Sequence, residues 1–198
     1  SDIVAINGGG ITVQDDMNFN WIGWPSAPSN GIQKVILGGD TVLTTLVKQV
    51  PQYNFGWENT GITFLTSLDG AYQLTIQDMG TTRFNGLVGS ETPLTSLTIH
   101  ASLIAFTGDN RGVKTSDAQT YNGPSVTEGN DDFTGNNITF NGSINSHGSH
   151  QYAMHIEDNG TTTLNGAIGS TSALTNLEIT STLIHLNGGA ITTTDSQT

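Results

Sequence analysis

The chain has 198 residues, enough for one domain of ordinary size, and 89 of them are Gly, Thr, Asn or Ser. These four residue types are poor in helix interiors and no apolar run is long enough to cross a bilayer, so the composition excludes a helical protein and membrane insertion. A formal net charge of −12 with only five Lys and Arg argues against a nucleic-acid partner, and the lack of Cys excludes disulfides and thiolate metal sites.

Taken in chain order, ten short segments have apolar first and third residues around an outward-facing middle residue. Alternation with a period of two is typical of strands with one buried face. Three inward-facing residues cannot close a core, so each strand has to stack on its neighbours in the sequence. The predicted strands are 4–6, 11–13, 62–64, 74–76, 97–99, 104–106, 138–140, 154–156, 177–179 and 184–186.

The chain also repeats itself. Residues 80–89 (GTTRFNGLVG) match 160–169 (GTTTLNGAIG) at an offset of 80, and residues 5–12 match 185–192 at an offset of 180. Both ends of the chain fall inside this pattern. We therefore interpret residues 1–198 as one solenoid fragment of a longer array, with repeat units at about 15–116 and 117–194.

Asn-Gly pairs between the predicted strands indicate corners, because both residues tolerate positive φ. A repeat of about 78 residues predicts four coils of about 19–20 residues, with Asn85 and Asn165 at equivalent corners. The predicted fold is an all-β parallel β-helix (β-solenoid) of about nine coils, with two loop insertions in the N-terminal part. A β-sandwich is the alternative, but it predicts longer strands than the pattern contains.

The two insertions lengthen the first repeat unit, near 21–30 and 46–59, and they contain all three Trp of the chain. Aromatic faces stack on sugar rings or anchor protein partners. The alternative is that they only pack these loops onto the solenoid wall, since loops of this length need contacts to hold them. The candidate ligand-binding residues are Trp21, Trp24, Tyr53, Phe55 and Trp57.

No arrangement of residues points to catalysis or to a metal. An enzyme that cleaves polysaccharides needs carboxylates gathered on one strip of wall, but the acidic pairs 15–16 and 131–132 occupy different positions of the repeat. His147 and His150 have loop spacing without a patterned carboxylate. The acidity is compatible with calcium, but no calcium motif is present. We therefore predict no catalytic residue, no metal ligand and no cofactor.

Ice binding by a flat ladder of threonines is a further alternative, since Thr-x-Thr patterns recur along the chain. The repeat frame argues against it, because it aligns Thr163 with Arg83 and Thr193 with Val13. We therefore expect the ladder to be broken.

The unit formed by ITFNG (138–142), GTTTLNGAIG (160–169) and NGGAITTT (187–194) resembles the repeats of filamentous-haemagglutinin-like exoproteins and giant bacterial surface adhesins. The resemblance covers about residues 61–198 and the first fifteen, and the aromatic insertions depart from it. It implies a right-handed β-helix shaft, an extracellular or cell-surface location and a role in attachment.

We therefore expect a non-enzymatic shaft or adhesion segment of a large secreted or surface-anchored bacterial protein. Its expected partners are flanking repeats of the same chain and a surface glycan or a protein of a host or neighbouring cell. A carbohydrate-binding module is the first alternative function, and a β-helix polysaccharide-cleaving enzyme is the second.

Overall fold

The computed structural model describes residues 2–13, 17–19, 32–45, 61–107 and 111–198, and these residues form strands and no helix. All ten predicted triplets lie in strands. In chain order the strands are β1 (Asp2–Ile6), β2 (Gly9–Val13), β3 (Met17–Phe19), β4 (Ile32–Leu37), β5 (Thr41–Thr45), β6 (Ile62–Phe64), β7 (Ser67–Asp69), β8 (Gln73–Gln77), β9 (Thr81–Phe84), β10 (Ser96–His100), β11 (Leu103–Thr107), β12 (Arg111–Lys114), β13 (Gln119–Asn122), β14 (Ser125–Glu128), β15 (Asp131–Gly135), β16 (Ile138–Phe140), β17 (Ile144–Ser146), β18 (Met154–Leu164) and β19 (Leu177–Leu186).

Every pairing among these strands is parallel, which confirms the all-β parallel β-solenoid. The β-sandwich alternative is wrong, because it requires antiparallel sheets. Parallel strands need a crossover connection, and here the chain supplies it by winding through the other faces before it returns.

The strands stack into three faces. The first face contains β1, β4 and β7 and continues through bridges of Val88 to β12 and β15. The second face contains β2, β5, β8, β10, β13 and β16, and the third contains β3, β6, β9, β11, β14 and β17. The long strands β18 and β19 turn a corner: their first halves continue the first face and their second halves continue the second.

The length of a turn follows from the register of the second face. Hydrogen-bonded asparagines at equivalent positions of successive turns are 19 to 24 residues apart. The two earlier turns are longer, with 32 residues from Ile11 to Leu43 and 33 from Leu43 to Ile76. The chain therefore completes about five turns between β8 and β19, through the successive partners Ile76, Ile99, Tyr121, Phe140, Leu164 and Leu186. The total of about nine coils and the two insertions stay predictions, because residues 20–31 and 46–60 lie outside the described residues.

The sequence repeat does not contain a whole number of turns. The four turns from Ile99 to Leu186 contain more residues than one sequence repeat does. A residue one repeat further along the chain therefore lies about one third of a turn short of the equivalent position. Matched residues therefore lie on different faces: Phe84 pairs with Phe106 on the third face, whereas Leu164 pairs with Phe140 on the second. The expectation that Asn85 and Asn165 share equivalent corners of the solenoid is wrong for this reason.

Aromatic rings from successive turns stack inside the solenoid. The rings of Phe64 and Phe84 lie 5.2 Å apart and nearly parallel, and those of Tyr121 and Phe140 lie 4.4 Å apart. Phe133 meets Phe140 edge-on at 5.3 Å. Stacked and edge-on pairs add to the hydrophobic effect of burial, so this column fixes successive turns in one register.

A hydrogen-bonded polar pair, Tyr121 and Gln119, lies beside these rings in the core. The buried Tyr121 hydroxyl donates to Oε1 of Gln119 at 2.8 Å, and Nε2 of Gln119 donates to the carbonyl oxygen of Thr134 at 2.8 Å. Burial, with a smaller contribution from the Asp131 carboxylate, raises the pKa of Tyr121 well above its usual range. The phenol therefore stays neutral and acts as a structural donor.

Candidate functional site

The predicted aromatic residues Trp21, Trp24, Tyr53, Phe55 and Trp57 lie outside the described residues, so the ligand-binding role assigned to them stays a prediction. The described strands show where the two segments attach. Residues 20–31 follow the C-terminal end of β3, and residues 46–60 precede β6, which pairs with β3 on the third face. The two segments therefore attach at opposite ends of the same strand pair.

The acidic pair and the histidine pair do not form a common site among the described residues. Asp131 is buried whereas Asp132 is exposed, because consecutive strand residues point to opposite sides of β15. His147 and His150 are both exposed, and the nearest carboxylate oxygen to His147 is Glu128 Oε1 at 3.9 Å. Within the described residues no three His, Asp or Glu side chains gather as a metal site would require.

The outer surface of the second face carries a column of threonines. Register pairing aligns one Thr from each of five successive strands, between Val42 of β5 and His185 of β19. Thr163 thus lies beside Thr139 and not beside Arg83, so the expectation of a broken ladder is wrong for this face. The column consists of Thr75, Thr98, Thr120, Thr139 and Thr163.

A second column, two residues further along each strand, consists of asparagines that bond to one another. Nδ2 of Asn141 donates to Oδ1 of Asn122 at 2.6 Å, Asn165 donates to Asn141 at 2.6 Å, and Asn187 donates to Asn165 at 2.8 Å. His100 continues the column, with its Nε2 3.4 Å from Nδ2 of Asn122. We call the five threonines and these four asparagines the Thr–Asn face.

Each asparagine of this face is followed by a glycine that a larger residue could not replace. A Cβ built on Gly142 would overlap the carbonyl oxygen of Gly123, and one on Gly166 would overlap that of Gly142. The Asn-Gly pairs form corners as predicted, but positive φ is not the reason at these two, since neither has it. They are glycines because the backbones of successive turns touch there.

The Thr–Asn face carries no charge, unlike the other two faces. The first face presents exposed Lys114, Asp132 and Glu157, and the third carries an ion pair between Arg83 Nη1 and Glu128 Oε1 at 3.5 Å. From β5 to β19 the outward positions of the second face are Thr, Asn, Gln, Ser, Val, His and Leu. Among its described residues, a chain with a net charge of −12 thus presents a neutral polar surface on the second face.

The buried Asp158 holds a corner next to this face. Asp158 accepts backbone N–H bonds from Asn137 and Gly160 at 2.8 Å and from Ile138 at 2.9 Å, and a hydroxyl bond from Thr162 at 2.9 Å. Asp158 lies between the two halves of β18 and so fixes the corner at which the chain enters the second face.

The same contacts set the ionisation of Asp158. Burial alone would raise the pKa of this carboxyl, but the bonds donated by Gly160, Ile138, Asn137 and Thr162 outweigh it and hold the pKa below its ordinary value. Asp158 is therefore ionised at neutral pH, and its carboxylate accepts hydrogen bonds from the donors of this corner.

Comparison of the chain with protein-family models, with curated proteins and with solved structures finds no match. No helix among the described residues is long and apolar enough to cross a membrane. A function can therefore be inferred only from the solenoid and its faces.

The sequence contains a signal for the Thr–Asn face that the repeat frame hides. The motif Thr–apolar–Asn–Gly occurs at 120–123, 139–142 and 163–166, and His–Leu–Asn–Gly occurs at 185–188. In each motif the apolar residue is placed between the two outward columns, and Tyr121, Phe140 and Leu164 are at most 2% exposed. The spacing between motifs equals the length of a turn, so aligning the motifs would have revealed the columns.

Proposed function

We propose that the chain is a rigid, non-enzymatic segment of an extracellular shaft in a large secreted or surface-anchored bacterial protein of the haemagglutinin-like type. The observation that supports this most directly is continuous stacking: the second face runs through parallel pairing from β2 to β19. A rod that projects from a surface needs such stacking, in which each turn contacts only its neighbours. The proposal includes right-handed winding, about nine coils and the two insertions.

The side chains between turns support a rigid rod. Stacked rings inside, an asparagine ladder outside and bonded aspartates at the corners each connect one turn to the next. No element among the described residues sits outside this stack as a separate body. The net charge of −12 favours the solubility of such rods.

Mechanical stretching tests the shaft. With the chain held by its two ends, we expect stepwise unfolding in which each step releases one turn. A step should release 19–24 residues for the turns from β8 to β19 and 32–33 residues for the two turns from β2 to β8. A single all-at-once extension at low force would contradict a shaft built from separate turns. Labelling of intact producing cells with an antibody against the chain tests the extracellular location, and labelling only after permeabilisation would refute it.

Adhesion through the aromatic insertions is the part of the proposal that concerns partners. A glycan array probed with the unaltered chain and with Trp24→Ala and Trp57→Ala variants tests it. Binding that is lost in the variants while the melting temperature is unchanged supports a surface glycan as ligand. Unchanged binding in both variants would leave the aromatics with a packing role only.

A further inference from the structure

The Thr–Asn face is a two-dimensional grid of polar groups. Neighbouring parallel strands lie about 4.8 Å apart, and residues two apart along a strand lie about 6.6 Å apart. No register shift interrupts the pairing from β8 through β10 and β13 to β16. The threonine column therefore extends over four strand spacings, about 19 Å, with a constant repeat.

The grid is rigid as well as regular. Thr has few accessible rotamers because it is branched at Cβ, and the asparagine amides are held by the bonds that they donate to each other. The five threonine hydroxyls make no side-chain hydrogen bond to any other described residue, so they are available to water. A ligand that binds here does not have to order flexible side chains, and this lowers the entropic cost of binding.

The chemistry of the grid selects an uncharged ligand that forms many weak hydrogen bonds. A charged side chain orients water around itself, whereas hydroxyl and amide groups accept and donate single bonds to water in a tetrahedral network. The described outward residues of these strands include no Trp, Tyr or Phe, the side chains that stack on sugar rings. The face therefore fits a periodic, neutral lattice of water better than it fits a glycan.

We propose that the Thr–Asn face binds ice. Waters bonded to the threonine hydroxyls and asparagine amides, and confined between the threonine methyl groups, take positions that continue into the crystal. Ordered bridging waters are nearly as favourable as direct hydrogen bonds, so a hydrated contact of this kind can be tight. The regular part of the grid is centred on β13, β16 and the second half of β18, where each strand supplies both a Thr and an Asn. This binding goes beyond the role of a shaft and does not depend on it.

The experiment uses the chain as it is, with ice as the probe. The protein is mixed with a non-binding control protein while an ice hemisphere grows slowly, and the fraction of each in the ice is measured together with the shape of single crystals. We expect the chain to be enriched in the ice and to facet the crystals. Thr139→Lys, at the centre of the grid, should reduce both effects to the level of the control protein. Thr180→Lys, an outward threonine of β19 on the charged first face, should leave both unchanged.

Circular dichroism and thermal melting establish that both variants are folded before they are compared. Exclusion of the unaltered chain from ice, at the level of the control protein, overturns the proposal. Equal loss in the two variants also overturns it, because the effect would then not come from this face. Binding to insoluble cellulose or chitin that Thr139→Lys abolishes, without retention in ice, would replace ice by a neutral glycan.

Discussion

Asp78 and Asp158 accept equivalent hydrogen bonds although they lie at different corners of the solenoid. Asp78 accepts the backbone N–H groups of Ile62 and Gly80 and the hydroxyl of Thr82, and Asp158 accepts those of Ile138, Gly160 and Thr162. The first corner joins the second and third faces, and the other joins the first and second. The motif Asp-x-Gly-Thr-Thr thus encodes a corner without encoding which corner it is.

Replacing Asp158 tests the energetic weight of this corner. Asp158→Asn replaces one acceptor oxygen by an NH₂ group that faces two buried donors. Since each orphaned buried donor costs about 1–3 kcal/mol, we expect the free energy of unfolding at pH 7 to fall by about 2–4 kcal/mol. The exposed Asp132→Asn should change it by less than about 0.5 kcal/mol. Denaturant unfolding of the three proteins measures both values.

The difference in the free energy of unfolding between Asp158→Asn and the unaltered chain should depend on pH. The folded pKa of Asp158 is below its unfolded value, so its stabilising contribution is present above the unfolded value of about 4 and disappears as the pH falls through the folded pKa. We expect the stability difference to be constant from pH 7 to pH 5 and to shrink below about pH 4. A difference that stays the same at pH 3, or that grows, would mean that the carboxylate charge is not what holds the corner.

The asparagine ladder should contribute to stability through coupling between turns. Asn165→Ala removes one bond to Asn141 and one from Asn187, and at an exposed site we expect a loss of about 1 kcal/mol. Asn159→Ala, at an exposed asparagine with no side-chain hydrogen bond among the described residues, is the matched control and should be close to neutral. A double-mutant cycle between Asn141 and Asn165 should give a coupling of about 0.5 kcal/mol or more. Zero coupling would mean that the ladder results from the fold and does not contribute to its stability.

Close backbone contact at the Asn-Gly corners makes glycine there irreplaceable. Gly142→Ala forces a methyl group into the carbonyl of Gly123, so the turns must separate, and overpacking of this kind costs about 1–3 kcal/mol or more. Gly10→Ala is the matched control, since a Cβ there meets nothing within 4 Å and its φ is not positive. We expect thermal melting to show a large drop for the first and little change for the second. Equal drops would point to the loss of glycine itself rather than to contact between turns.

Local patterns predicted nine of the nineteen described strands, because alternation is a property of one strand. Residues such as Ile76 and Phe140 are buried where the period of two places them. The pattern missed the other ten, among them β13 and β14, where the inward residues Gln119, Ser125 and Thr127 are polar and buried. Apolar alternation cannot detect a strand whose inner side chains are polar.

The columns could not be predicted from the repeat, because stacking depends on the length of a turn and not on the length of the repeat. One repeat away, Thr163 matches Arg83, but one turn away it meets Thr139. Only the register between strands distinguishes these two partners. The same reasoning applies to Asn165, which matches Asn85 in the sequence and bonds to Asn141 in the structure.

The exposed edge of β19 is where a next turn of the expected array would stack, and in a protein that consists of residues 1–198 alone it should promote self-association. Residues 183–186 of β19 pair with β18 and with no other described strand. Ile184 and Leu186 occupy positions that face inward in earlier turns, but here they are 39% and 56% exposed. An unpaired strand edge of this kind is a template for another chain. We expect sedimentation velocity to show association that grows with concentration and that Ile184→Lys with Leu186→Lys reduces without lowering the melting temperature. Met79→Lys, which removes a 58% exposed apolar side chain at a corner, should leave association unchanged. If it reduces association equally, general surface apolarity and not the β19 edge would be responsible.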